Sequence, residues 1–217
     1  MWLFFLTPII LIASIFYFAS VGGFGDMPDL EVLENPKTNL ASEVISSDGK
    51  TLGKYYFNDN RTPVTFDELP RHLVEALIAT EDIRFYSHSG IDFKRTFGAA
   101  LKLGKDGGGS TITQQLAKLL FTGEGSRDII ERLTQKFKEY IIAVRLERHY
   151  TKDEIITQYL NLYDFGNNGD GIRSAARIYF GKEPIDLDIN ESAILVGMLK
   201  NSSCLLYTSP SPRDFQV

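Results

Sequence analysis

Residues 2–21 carry no charged side chain, and the stretch matches the ~20 residues that a helix needs to cross a bilayer. No other part of the chain restricts the fold as tightly. In hydrocarbon every main-chain N–H and C=O must be bonded within the segment, so a single span has to be a helix. A cleaved signal peptide would have an apolar region of only about 7–15 residues ending at a small-residue site, so an uncleaved anchor over residues 1–21 is expected. Pro8 is tolerated there as a kink. No Lys or Arg precedes the stretch, so flanking charge gives no orientation.

Gly22 to Leu40 is rich in Gly, Pro, Asp, Glu and Asn and reads as a juxtamembrane linker over residues 22–40. Strand-like runs then flank Asp48-Gly49 between Val44 and Phe57, which predicts a β-hairpin. From Thr65 to Leu199 the pattern is one of helices joined by loops rich in Gly or Asn, so the fold class is mainly α. The 217 residues fit one ordinary domain with an appendage. A net charge of −5 gives no global basic field, which argues against nucleic acid as partner. Cys204 is the sole cysteine, so an internal disulfide framework and a Cys-based zinc site are both excluded. His72, His88 and His149 are too scattered in sequence to read as a metal triad.

Candidate chemistry begins at Glu81. Pro70 suits the first turn of a helix whose apolar positions include Leu73, Leu77 and Ile78, which brings Glu81 and Asp82 to its C-terminal end. Carboxylates are disfavoured at that negative pole by roughly 0.3–1 kcal/mol each when exposed. Walled by Phe85 and Tyr86, such a carboxylate would be a stronger base; a frayed, solvated helix end is the plainer reading. In Gly107 to Lys118, three glycines allow close approach of main chain, Ser110 and Thr111 offer hydroxyls at a helix start, and Gln114, Gln115 and Lys118 come after them. A helix start with a nearby Lys suits sugar hydroxyls or phosphate, although an ordinary N-cap looks the same.

Arg127 to Tyr150 reads as one long helix with two faces. At about 100° per residue from Phe137, Ile130, Leu133, Ile141 and Val144 fall within roughly 40° and are expected to form the core stripe. Lys136, Glu139, Ala143 and Glu147 cluster near about 240°, either a second functional face or a solvated one with helical ion pairs. Thr151-Lys-Asp-Glu opens another helix, which runs into a left-handed turn rich in Asn, Asp and Gly; a further helix comes next and stops at Gly181.

Four motifs in order, Glu81-Asp-x-x-Phe-x-x-His-x-Gly-x-Asp92, Gly108-Gly-Ser-Thr-Ile-Thr-Gln-Gln115, Lys136-x-x-Glu139, and Tyr159-Leu-Asn-x-x-x-Phe-Gly166 through Ala175-Ala-x-x-Tyr-Phe-Gly-Lys182, resemble those of the peptidoglycan glycosyltransferase family. Leu187-x-x-x-Glu191-Ser-Ala-x-Leu-x-Gly-Met-Leu-Lys200 is similar to its fifth. That module occurs in class A penicillin-binding proteins and monofunctional transglycosylases. The resemblance implies a lysozyme-like, two-lobed helical domain over residues 41–203, with a globular head and a jaw that touches the membrane. It implies polymerisation of lipid II with inversion at the donor MurNAc anomeric carbon and loss of undecaprenyl pyrophosphate. Carried over by motif, Glu81 would be the general base and Glu139 the second carboxylate, holding a divalent cation (Mg or Mn) or orienting Lys136. Lys118 and Arg127 would neutralise the diphosphate. Ser110, Thr111, Gln114, Gln115, Asp82, Phe85, His88 and Asn161 complete the expected substrate-binding set. No organic cofactor is implied.

The implied partners are lipid II, the growing glycan strand, the bilayer, and cell-wall elongation or division proteins. The implied location is a bacterial cytoplasmic membrane, with the domain on its outer side. Phe93, Phe97, Leu101 and Leu103, with Lys94, Arg95, Lys102 and Lys105, would suit a jaw dipping into lipid, or else core packing. Gln135 stands where many members carry Arg, and Asn167 and Asn168 alter the usual fourth-motif turn. Residues 204–217 depart from the family and resemble an in-frame sequencing adapter, the alternative being a Ser/Pro linker. Two other functions are compatible with the residues: a lytic, lysozyme-like hydrolase, and a non-catalytic anchored module that binds glycan or a partner.

Overall fold

The computed structural model describes residues 7, 14, 17, 18, 23, 42–48, 51–55, 61–101, 109–123 and 128–207. The expected anchor over 1–21 and the linker over 22–40 lie almost wholly outside the described residues, and Lys102, Leu103, Lys105 and Arg127 lie entirely outside them. Among the described residues no helix is long and apolar enough to cross a membrane. The described part is mainly helical: α1 (Arg71–Glu81), α2 (Phe93–Leu101), α3 (Ile112–Ala117), α4 (Ile129–His149), α5 (Lys152–Leu162), α6 (Gly171–Phe180) and α7 (Ile189–Tyr207). Two strands, β1 (Ser42–Ile45) and β2 (Thr51–Tyr55), pair antiparallel, with Ser42 opposite Tyr55 and a register irregularity after Val44.

The chain divides into two compact units, Met1–Lys37 with Arg84–Ile155, and Thr38–Ile83 with Ile156–Val217. In the second, α1 buries Leu73, Val74 and Leu77 on one face and packs on α7, which buries Leu195, Val196, Met198 and Leu199. Leu73 and Leu77 belong to the stripe expected from the sequence, whereas Ile78 is only half-buried and Val74 is buried in addition. Ile156, Tyr159 and Leu160 from α5 and Ile172, Ala175 and Ala176 from α6 are also buried there. Between α5 and α6 the chain turns through Asn167 (φ 51°) and Asn168 (φ 63°), left-handed positions that asparagine tolerates better than most residues. Helix α7 runs through Ser203, the expected domain boundary, without a break.

In the first unit α3 packs on α4. Thr111 caps α3 by accepting the N–H of Gln114 at 3.2 Å, and beyond Ala117 the helix widens into a π turn over Lys118–Thr122. Asp128 caps α4 through the N–H of Ile130 at 2.8 Å, and Arg148 and His149 complement the negative end.

The core stripe expected on α4 is not its core. Ile130 is 74% exposed and Leu133 57%, while Phe137, Ile141 and Val144 are only half-buried. The buried residues are Glu139, Ile142, Ala143 and Leu146, centred about 190° round the helix from Phe137. Apolarity alone selects the wrong face here, because the charged residue of the buried face, Glu139, is bonded by Lys136 and Thr122.

Candidate active site

The loop after Glu81 is held by main-chain and side-chain bonds that begin at Asp92. Arg84 grips the Asp92 carboxylate through Nε at 2.8 Å and Nη2 at 2.7 Å, and the N–H of Arg95 donates to its other oxygen at 3.0 Å. Burial works to raise the Asp92 pKa, but these donors outweigh it and hold the carboxyl below its usual range. Gly90 has φ 86°, and a Cβ there would lie 2.9 Å from the Ala143 carbonyl carbon and oxygen. The first-motif loop therefore presses its main chain directly on that of α4. The Gly90 carbonyl accepts from the Thr111 hydroxyl at 2.7 Å and from Gln114 Nε2 at 3.1 Å.

On α4, Lys136 donates to Glu139 Oε2 at 2.7 Å and to Ser110 Oγ at 2.7 Å, and its ammonium lies 5.6 Å from the centre of the Tyr140 ring. The Thr122 hydroxyl makes a longer contact to Glu139 Oε1 at 3.4 Å. The π turn thus brings its last residue to the same carboxylate that the lysine holds. Burial, and then the charge of Glu139, push the Tyr140 phenol up. Ser110 from the second motif and Lys136 and Glu139 from the third form one hydrogen-bonded group.

Helix α1 closes at Glu81, which is half-buried, and the Asp82 N–H donates to the Ile78 carbonyl at 3.0 Å. In the same unit the phenols of Tyr159 and Tyr163 are pushed up, first by burial and then by the charge of Glu81. Neither tyrosine stands out in the sequence as a neighbour of Glu81, because nothing in their spacing from it signals contact.

Several residues expected to meet substrate are turned inward. Asp82, Phe85 and Thr111 are fully buried, and Gln114 nearly so. Thr111 and Gln114 serve the Gly90 carbonyl, which makes them scaffold for the loop. Asn161 uses both ends of its amide on Val64: Nδ2 donates to the Val64 carbonyl and Oδ1 accepts its N–H, each at 2.9 Å. Its geometry is that of a tether for the segment before α1. Ser110, Gln115 and His88 are half-buried and Lys118 is exposed, while Arg127 lies outside the described residues. Phe93 is 75% exposed and Phe97 68%, so core packing does not account for them; the side chain of Leu101 lies outside the described part.

Lys136 thus sets a cation between a helix-start hydroxyl and a buried carboxylate. The chain belongs to the transglycosylase family, whose model matches residues 48–213. It is 40% identical over 182 residues to penicillin-binding protein 1A of Escherichia coli (strain K12), covering 82% of this chain and 21% of that protein. It is 41% identical over 169 residues to penicillin-binding protein 1F of Bacillus subtilis (strain 168), covering 76% of this chain and 23% of that one. Over 202 residues it is 34% identical to penicillin-binding protein 2a of Streptococcus pneumoniae (strain ATCC BAA-255 / R6), covering 90% and 26%. The chain thus spans about a quarter or less of the length of these relatives.

Proposed function

We propose that the chain is a peptidoglycan glycosyltransferase that polymerises lipid II into glycan strands for the cell wall, releasing undecaprenyl pyrophosphate. The observation that carries this reading is the Lys136 ammonium, bonded at once to Ser110 and Glu139. A departing diphosphate needs positive charge more than a proton, whereas a glycan hydrolase needs an acid for the glycosidic oxygen. In the proposed reaction Glu81 accepts the proton of the acceptor GlcNAc 4-hydroxyl as that oxygen attacks the donor MurNAc anomeric carbon. The bond to the diphosphate oxygen breaks and the anomeric configuration inverts. Lys136 and the exposed Lys118 take up the charge that develops on the diphosphate, and Arg127 is assigned the same task. Ser110, Gln115 and His88 are the remaining groups read as facing substrate.

Among the described residues no group of three or more His, Cys, Asp or Glu could hold a metal ion. Glu139 could still lend Oε1, whose contact to Thr122 is a long one at 3.4 Å. One carboxylate oxygen fits Mg or Mn held mainly by a diphosphate and water, and such an ion would supply further positive charge to the leaving group. Residues 1–21 are assigned as the anchor, 22–40 as the linker and 41–203 as the catalytic domain on the outer face of a bacterial cytoplasmic membrane. The exposed Phe93 and Phe97, beside the exposed Lys94, support contact of α2 with lipid.

Labelled lipid II tests the reading. The expected products are polymer and undecaprenyl pyrophosphate, and Glu81→Gln abolishes both while circular dichroism stays native. Shortened glycan from preformed strands would identify a hydrolase. Polymerisation unchanged in Glu81→Gln would remove that residue from its role.

A further inference from the structure

Lys152, at the start of α5, is a cation to which the motifs of the family give no task. Its ammonium donates to the His88 carbonyl at 2.7 Å and pairs with Glu147 on α4, Oε1 at 2.8 Å and Oε2 at 2.7 Å. It also lies 4.2 Å from the centre of the buried Phe85 ring. The side chains of Lys152 and Glu147 are 22% and 5% exposed. An ammonium has three N–H donors, and the two oxygens of Glu147, one carbonyl and one aromatic face surround this one. Glu147 Oε1 in turn accepts from the hydroxyl of Thr113, a buried residue in the first turn of α3, at 2.5 Å.

We propose that Lys152 and Glu147 are positioning residues, which clamp the loop Phe85–Gly90 to the first turn of α3 and thereby set the place of His88 and Ser110. The loop is gripped at two carbonyls from two directions. Lys152 holds that of His88, and Thr111 with Gln114 holds that of Gly90. Glu147 joins the two grips, because it bonds Lys152 on one side and α3 on the other. Helix α3 begins just after Ser110, the partner of Lys136, so movement of the loop reaches the Ser110–Lys136–Glu139 group without any contact between Lys152 and substrate. Removing either member of such a pair strands a charge in a poorly solvated place, which loosens everything bonded to it.

The clamp rests on the glycosyltransferase reading for its kinetic consequences but not for its structural ones, so it is tested in two arms on the full chain. With lipid II, Lys152→Met and Glu147→Gln are each expected to lower kcat by about tenfold or more with KM changed less than about threefold. The double variant is expected to be no worse than the more damaging single one, since the two act as a unit. Lys152→Arg, which keeps the charge, recovers part of the loss. Without substrate, amide hydrogen exchange at 85–90 is expected to accelerate in both variants, with exchange at 171–180 unchanged. Raised KM with kcat retained would make Lys152 a substrate cation and overturn the proposal, as would additive losses or unchanged exchange at 85–90. If Lys152→Met does not fold, Thr113→Val, which removes only the α3 end of the chain of bonds, gives the same exchange readout. A wild-type chain inert towards lipid II would sink the proposed function and leave the exchange arm to decide on the clamp.

Discussion

Gly90 shows how a single missing atom fixes the geometry of the first-motif loop. Its φ of 86° is unfavourable for a residue with a side chain, and its Cα faces the Ala143 carbonyl at a distance that admits no Cβ. Gly90→Ala is therefore expected to destabilise the chain by about 1–3 kcal/mol, from backbone strain and overpacking together. Urea unfolding checks this, and a midpoint equal to wild type would contradict the packing described. The motif pattern makes Gly90 visible in the sequence, but not the residue it meets. Ala143 is legible only as a small residue that permits close approach, because nothing local identifies a partner so remote in the chain.

Helix α4 is where sequence and structure part most clearly. The helix and its two faces are legible from a period of about 3.6 residues. Which face turns inward is not, because Glu139 and Glu147 lie on the buried side with Lys136, Thr122, Lys152 and Thr113 as partners, and all of these but Lys136 come from outside the helix. Burial of a carboxylate depends on its partners, which periodicity does not reveal. The two faces separate cleanly by mutation. Ile142→Ala on the buried side is expected to lower stability by about 2–5 kcal/mol, as buried large-to-small changes do. Leu133→Ser on the exposed side is expected to stay within about 0.5 kcal/mol. Denaturant titration of the pair decides the matter, and a larger loss in Leu133→Ser would restore the stripe read from sequence. The helix ends are easier to read. Thr151 and Glu154 form the reciprocal cap before α5 that their spacing predicts, because such a cap is a local interaction.

At the scale of the molecule, the shifted carboxylates among the described residues share one direction. The carboxyls of Glu68, Asp92, Glu154 and Glu191 are all held low, chiefly by main-chain N–H groups or by paired Arg and Lys side chains that outweigh burial. A group whose pKa is lower folded than unfolded stabilises the fold above its unfolded value, and that contribution disappears as pH falls through the folded one. Stability is therefore expected to be level near neutrality and to decline below about pH 4. Thermal unfolding across that range checks it: Asp92→Asn should flatten part of the acid decline, and an identical decline in the variant would exclude Asp92 as a contributor. The helical class and the order of the motifs are legible in the sequence because both are carried by local pattern. The inward turn of Thr111 and Gln114 and the tie of Asn161 to Val64 are not, since each answers a main-chain group from another part of the fold. The widened turn at Lys118–Thr122 has one last implication. Such a turn is an ordinary helix with a residue added, so excising one position between Ala117 and Gly123 would wind it back to the regular form and swing the succeeding chain by about 100°. Thr122 would leave Glu139, and the stretch of chain from Ser110 to Thr122 is in this sense measured to the residue.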